Sequence, residues 1–176
     1  MKNKNELAKL IKTITASQAA VLYTSIAEEI DLYSLPISAI FPEKQISLPT
    51  EKTADPFVWA EKCINRFDGL NVCVFIPGKL FDKTGTRHGR GGGWYDRFLS
   101  KIPKRWIRIG VTSKENFSLG ILKREKWDEP MDWVLILNNS VLTVVKTGIV
   151  LKKKATLDRA ACYSGASKAR YFTTYS

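Results

Sequence analysis

The sequence predicts an α/β layered single domain with a mostly parallel central sheet flanked by helices. Three observations carry this expectation. Helical and extended patterns alternate along the chain, as in layered α/β proteins. The strongest strand pattern, "LNVCVFIPG" at residues 70–78, is continuously apolar rather than alternating, which suits a strand covered on both faces. The composition is that of a globular chain: 44% hydrophobic and 26% charged over 176 residues, enough for one proper core.

The elements follow in order. "NELAKLIKTI" sets Leu7, Leu10, Ile11 and Ile14 at helical spacing. "QAAVLYTSI" is a short apolar run rich in β-formers and reads as a buried strand. "AEEIDLYSL" offers acids that would open a second helix. "ISAIF", stopped by Pro42, reads as a short strand, and "ISLPTEKTADP" as loop. "PFVWAEKCINRF" has a helical pattern, with Asp55 as N-cap and Pro56 in the first turn. Beyond the Pro77–Gly78 stop, "GWYDRFLSKI" reads as a helix, and "WIRIGVT" and "MDWVLILNN" as strands. "VLTVVKTGIVL" reads as a terminal hairpin turning near Lys146, Thr147 and Gly148.

Residues 1–151 form the expected domain. Residues 152–176 lose all periodicity and carry six basic residues against one acid, which reads as a basic, mobile tail. The whole chain has 28 Lys and Arg against 17 Asp and Glu, a formal charge of +11, so a polyanionic partner is expected. Charge alone does not choose between nucleotide, phosphorylated metabolite, nucleic acid and membrane surface. The three cysteines, Cys63, Cys73 and Cys162, are distant and odd in number, which excludes a disulfide framework and a CxxC metal knuckle. No apolar run reaches the ~18 residues of a membrane span, and the N-terminus lacks the apolar core of a secretion signal. A cytoplasmic protein that does not bind membranes is the expectation.

The segment "GTRHGRGGGWYDRF", residues 85–98, concentrates five glycines, three arginines, two neighbouring aromatics and one aspartate. A strand, a glycine-rich turn and a helix together point backbone N–H groups at an anion, and the helix dipole adds partial positive charge. Gly89, Gly91, Gly92 and Gly93 supply that backbone, and Arg87 and Arg90 can donate bidentately to phosphate or carboxylate. Asp96 makes sense beside a phosphate as a ligand of Mg²⁺, which is held by one or two carboxylates plus phosphate oxygens. Trp94 and Tyr95 offer flat faces to a heteroaromatic ligand, or are core residues at a helix start. His88, the one histidine, reads as a loop residue, and Asp82 as a cap of the turn ending at Gly85. The dinucleotide fingerprint and the P-loop both fail on spacing. From residue 79 to 108, nine Lys and Arg stand against two Asp.

Read from Pro77, "PGKLFDKTGTRHGRGGGWYDRFL" resembles the signature of the 5-formyltetrahydrofolate cyclo-ligase family. Pro77, Gly78, Phe81, Asp82, Gly85, Arg87, Gly89, Gly91, Gly93, Tyr95, Asp96 and Arg97 match it. "KWDEPMDWVLI" is similar to the family's closing segment and places Asp128 and Asp132, while "AVLYTSIAEEIDL" is similar to its first strand and places Glu29. The resemblance covers residues 18–137 and is densest over 70–137. It implies an enzyme that uses ATP and Mg²⁺ to convert 5-formyltetrahydrofolate into 5,10-methenyltetrahydrofolate. It implies that Arg87, Arg90 and residues 89–95 hold ATP and its phosphates. Arg90, Tyr95 and Asp96 would be catalytic, Glu29 and Trp94 would touch folate, and Asp96 and Asp132 would hold the metal. Its partners would be small molecules, ATP and a reduced folate, with the protein a monomer.

His88 stands where the family has an aliphatic residue, and Trp94 where it has Tyr or Phe. The family's first helix carries a closely spaced Lys and Arg that grip ATP; no counterpart is legible here, and the region ahead of Pro77 is short. A non-catalytic nucleotide- or folate-binding relative is therefore the alternative reading. An RNA-binding module is a third, motivated by the charge. No paired RNP-type aromatics or GXXG clamp supports it.

Overall fold

The computed structural model describes residues 2–26, 28–50 and 53–148. The proposed tail at 152–176, Cys162 and the end of the expected terminal hairpin lie outside the described residues.

Six strands form the central sheet: β1 (Ala19–Tyr23), β2 (Gln45–Leu48), β3 (Val72–Pro77), β6 (Ile107–Ser113), β8 (Trp133–Asn138) and β9 (Val141–Lys146). Their spatial order is β2-β1-β3-β6-β8-β9, and only β9 runs antiparallel to its neighbour. A small second sheet, in the order β5-β4-β7, is built from β4 (Leu80–Asp82), β5 (Arg87–His88) and β7 (Phe117–Ser118). It lies just beyond β3 in the chain and carries the start of the glycine segment.

The alternation of side chains across the sheet builds two cores. Ala19 and Val21 of β1, Val72, Val74 and Ile76 of β3, and Val134 and Ile136 of β8 face one way. There they meet Ala60 and Cys63 of α2 (Pro56–Arg66) and Phe98 and Leu99 of α3 (Trp94–Lys101). Ala20, Leu22, Cys73, Phe75, Trp133 and Leu135 face the other way. They meet Leu10 and Ile14 of α1 (Lys2–Thr15) and two short 3-10 turns, Leu32–Ser34 and Pro36–Ile40. Both faces of β3 are thus covered, which is why its sequence is apolar throughout. Burial pushes the Cys63 thiol up to about 12 and the Cys73 thiol up to about 11, so both are packing residues.

α2 begins as its sequence demands: the Asp55 carboxylate accepts from the Phe57 and Val58 amides, and Pro56 occupies the first turn. Three expectations are corrected. "AEEIDLYSL" forms no α-helix, because Pro36 follows within one turn; only Leu32–Ser34 winds, capped by Asp31. "ISAIF" is a 3-10 turn rather than a strand, since Pro36 opens it with helical φ. "ISLPT" contributes strand β2, paired in parallel with β1 from Gln45 to Leu48. As an edge strand β2 is only partly covered, so it lacked the apolar run that marks β3. The second arm of the hairpin expected near Lys146, Thr147 and Gly148 lies outside the described residues, while β9 pairs antiparallel with β8. The two-residue turn is Asn139–Ser140, both at positive φ (46° and 65°), as a turn matching strand twist requires.

Gly110 of β6 leaves the space filled by Phe81, the buried aromatic of β4, and a Cβ there would overlap that ring. Gly110→Ala is expected to lower the urea unfolding free energy by about 1–3 kcal/mol through overpacking, with an unchanged m-value. A neutral substitution would show that the small sheet is not seated on β6 in this way.

Candidate active site

Counted along the central sheet, the five parallel strands have the order 2-1-3-4-5. The chain leaves β1 toward one edge and returns on its other side at β3. In open α/β sheets the crevice outside the carboxyl ends at such a reversal is where ligands bind. Here the loop after β1 supplies Glu29 and the segment after β3 supplies the glycine loop. The two meet there: Arg90 Nε stands 3.9 Å from Glu29 Oε1.

The loop ends on Gly93, the N-cap of α3, which has φ 58° and contributes no side-chain cap. Gly91 has φ 85°, a left-handed conformation open to glycine at little cost. A Cβ on Gly91 or Gly92 would meet nothing within 4 Å, so packing does not account for the bareness of these two residues. Among the described residues, no protein acceptor receives the amides of residues 94–96. An uncapped, positively polarised helix start thus faces open space, which is the chemistry of an anion seat.

The arginines differ. Arg90 is 44% exposed in its side chain and free to reach a ligand. Arg87 is buried; its Nη2 donates to Asp96 Oδ2 at 2.7 Å, and its guanidinium lies 5.4 Å from the centre of the Tyr95 ring. Tyr95 touches both cores. Burial, followed by the negative Glu29, holds its phenol above the usual range. Burial also raises the Glu29 carboxyl, opposed by the Ile26 amide and then by Arg90 and Arg87. Tyr23, at the end of β1, completes this group and was missed in the sequence. Its phenol is raised by burial and then by Glu29, and it donates to Ile30 O at 2.6 Å. A tyrosine closing a buried strand was the available signal.

Trp94 is committed to packing. Its indole N–H donates to Ala54 O at 2.6 Å, and its ring stacks on Phe98 with 5.5 Å between centres. A Phe has no donor for that bond, which ties the start of α3 to the residue before the α2 cap. His88 lies in β5 rather than in a loop, and its Nε2, 2.9 Å from Lys123 O, tethers that segment. Asp128 serves a local turn by accepting from the Glu125 amide.

Asp82 is the cap that the sequence suggests, and more. It is fully buried, accepts from Thr84 and Thr86 through Oδ1, and through Oδ2 takes the Leu122 amide at 2.8 Å. Burial alone would raise its carboxyl, but these bonds, led by Leu122 N–H, hold it below the usual range. Together with His88, and with Arg124 bonded to Thr84 and Thr86, it straps residues 122–124 onto the small sheet.

The two proposed metal ligands stand apart in role. Asp132 clips strand starts together: its Oδ2 accepts from Arg108 N and its own amide donates to Arg108 O, both at 2.9 Å. Asp96 gives one oxygen to Arg87, while the other carries only a long 3.4 Å bond from Glu129 N. Among the described residues no three His, Cys, Asp or Glu converge as a metal cluster. Magnesium is commonly held through few carboxylates, waters and substrate phosphates, so Asp96 fits as a ligand through water. Glu129, also unforeseen, binds Lys104 and Arg108 at 2.7 and 2.6 Å. Burial alone would raise its carboxyl, but those two cations hold it low.

Fold and site together define a doubly wound α/β protein with an uncapped helix start at its switch point. Residues 62–137 match the model of the 5-formyltetrahydrofolate cyclo-ligase family. It is 35% identical over 63 residues to a 5-formyltetrahydrofolate cyclo-ligase of Mycoplasma genitalium, covering 36% of this chain and 37% of the relative. It is 30% identical over 83 residues to that of Mycoplasma pneumoniae, covering 47% and 48%. The chain thus spans less than half the length of the curated relatives it matches. A solved 5,10-methenyltetrahydrofolate synthetase of Aquifex aeolicus shares the fold, with a TM-score of 0.50, 19% identity and 89% of each chain covered.

Because Asp82 is held ionised in the fold, its contribution is present above the unfolded carboxyl value of about 4 and is lost as pH falls through its lowered folded value. Asp82→Asn is therefore expected to lower stability at pH 7 and to flatten the decline seen in wild type below about pH 4. Urea unfolding at several pH values checks this; parallel pH profiles would remove the ionised bond network.

Proposed function

We propose that the chain is an ATP- and Mg²⁺-dependent 5-formyltetrahydrofolate cyclo-ligase that forms 5,10-methenyltetrahydrofolate. The observation carrying this reading is the open, uncapped start of α3 facing Glu29 across the switch point, within the stretch that matches the family. The amides of the loop and Arg90 receive the terminal phosphate, where the helix dipole favours negative charge. Asp96 would hold Mg²⁺ through water with one oxygen, its other oxygen being kept in place by Arg87. Mg-ATP supplies the phosphoryl group that activates the formyl oxygen. The chain contributes orientation and charge neutralisation, the main requirements of phosphoryl transfer. Glu29, its carboxyl raised by burial, faces the pterin and formyl region as a hydrogen-bonding partner. Tyr95 walls the seat from below, and the surrounding lysines and arginines draw in the folate's glutamyl carboxylates.

Two features narrow the alternatives. Among the described residues no helix is long and apolar enough to cross a membrane. The acids at the loop, Asp82 and Asp96, are paired inside the protein and leave an anion-attracting surface, which a small charged substrate satisfies.

The direct test mixes the folded protein with Mg-ATP and 5-formyltetrahydrofolate and follows the methenyl product in the near ultraviolet. An ATP-dependent rise is expected, and none in folded protein would overturn the reading; calorimetric binding of ATP or folate without turnover would instead identify a non-catalytic relative. Gly92→Ala refines the test, because its added methyl enters open space. It is expected to leave the melting temperature unchanged and to raise KM for ATP about tenfold or more, the loss of one charge-assisted contact. Arg90→Ala is expected to act similarly. Normal ATP kinetics in both would place the nucleotide elsewhere.

A further inference from the structure

The loop's glycines divide into two sets, and one of them serves a side chain rather than a ligand. A Cβ on Gly89 would stand 2.5 Å from Arg87 Nη1, and one on Gly78, just ahead of the loop, would stand 2.7 Å from the Phe81 ring and 2.8 Å from Arg87 Cγ. Gly89 therefore makes room for Arg87, and Gly78 for Arg87 together with Phe81. That residue keeps 6% of its surface exposed, is bonded to Asp96 at 2.7 Å and lies over Tyr95. Its Nε is buried without a partner among the described residues. A guanidinium placed to grip phosphate would turn its donors toward the open side of the loop. This one is enclosed beneath it, and its charge is matched by Asp96. Arg90, exposed and only loosely paired with Glu29 at 3.9 Å, is left as the cation facing a ligand.

We infer that Arg87 is a positioning residue: it fixes Asp96 and Tyr95, and with them the first turn of α3, without touching the phosphate. The inference rests on the nucleotide site proposed above and corrects the direct phosphate contact that the sequence suggests for Arg87. Three consequences follow from the geometry. Asp96 can offer a metal-bound water only the oxygen that Arg87 does not hold. The Tyr95 ring is pinned between the guanidinium and both cores. The net charge drawn on by an anion at the loop comes from Arg90 and the helix start, since Arg87 and Asp96 cancel.

The experiment is a double-mutant cycle on the full chain, read as ATP affinity by calorimetry in the presence of Mg²⁺. Arg87→Ala and Asp96→Asn are each expected to weaken ATP about 10- to 100-fold, as loss of a group that orients a ligand does. The combined variant should fall within about twofold of Asp96→Asn alone, because both substitutions break the same link. Arg87→Lys, which keeps the charge, should recover part of the loss. Multiplying losses, with no recovery by lysine, would mean that Arg87 meets the phosphate itself and would overturn the inference. A lone Arg87→Ala leaves a buried carboxylate unpaired and can fail to fold; the combined variant removes both charges and keeps the test decisive. Amide exchange separates this from the functional reading. In Arg87→Lys and in the combined variant, the Arg97 and Glu129 amides should exchange faster than in wild type while those of α2 hold. If wild type binds no ATP, the proposed function falls, and unchanged exchange at Arg97 and Glu129 would overturn the role of Arg87 separately.

Discussion

The guanidinium of Arg87 is withdrawn from water and enclosed by Asp96, Tyr95, Gly78 and Gly89, and the glycine loop takes its course around that buried charge. Placing a charge inside a protein is costly unless it is paired and bonded, and removing one member of such a pair commonly costs about 3–5 kcal/mol. Asp96 supplies the pairing from the first turn of α3. Its second oxygen reaches the Glu129 backbone, and the Glu129 carboxylate binds Arg108, which in turn donates to Leu99 O further along α3. The helix behind the loop is therefore held at its start by one buried arginine and along its length by another. A helix so restrained can leave its N-terminal amides without protein partners, and those free amides are what an anion would use.

The position of this arrangement follows from sheet order. β1 and β3 are neighbours, yet the chain departs from them in opposite directions, so the loops after them diverge and leave a crevice. Glu29 enters it from one side and Arg90 from the other. Beneath lie Tyr23 and Tyr95, whose phenols are kept neutral by burial and by the nearby carboxylate. The small sheet above is tied down by Asp82 and His88 and seated against Gly110. The loop itself is bare at Gly91 and Gly92, where a Cβ would meet nothing within 4 Å.

Much of the fold is legible in the sequence, and for local reasons. β1, β3 and β8 announce themselves because burial on both faces demands continuous apolar runs, whereas β6 carries Arg108 and Thr112 among its apolar residues. α2 announces itself because Asp55 and Pro56 mark its start. The misreadings fall where the local signal is weak. "ISAIF" is apolar enough for a strand, but Pro36 presets helical φ, whereas the half-exposed edge strand β2 has no apolar run to reveal it. The site divides the same way. The loop and the Asp82 cap follow from motif and order along the chain; that Glu29 stands 3.9 Å from Arg90 does not. The enclosure of Arg87, the Trp94 bond to Ala54 and the span from Asp96 to Glu129 do not. Each depends on how distant segments pack, and Trp94 and Ala54 are 40 positions apart. An exposed arginine and a buried one look alike in a sequence.

The most direct measurement is a nuclear magnetic resonance titration of isotopically labelled full-length chain with Mg-ATP, followed residue by residue through the backbone amides. The expected result is that the largest shifts fall on residues 91–95 and at Glu29, with α1 and the β8–β9 turn undisturbed. Shifts confined to other surfaces, or no shifts at saturating nucleotide, would contradict an anion seat at the start of α3.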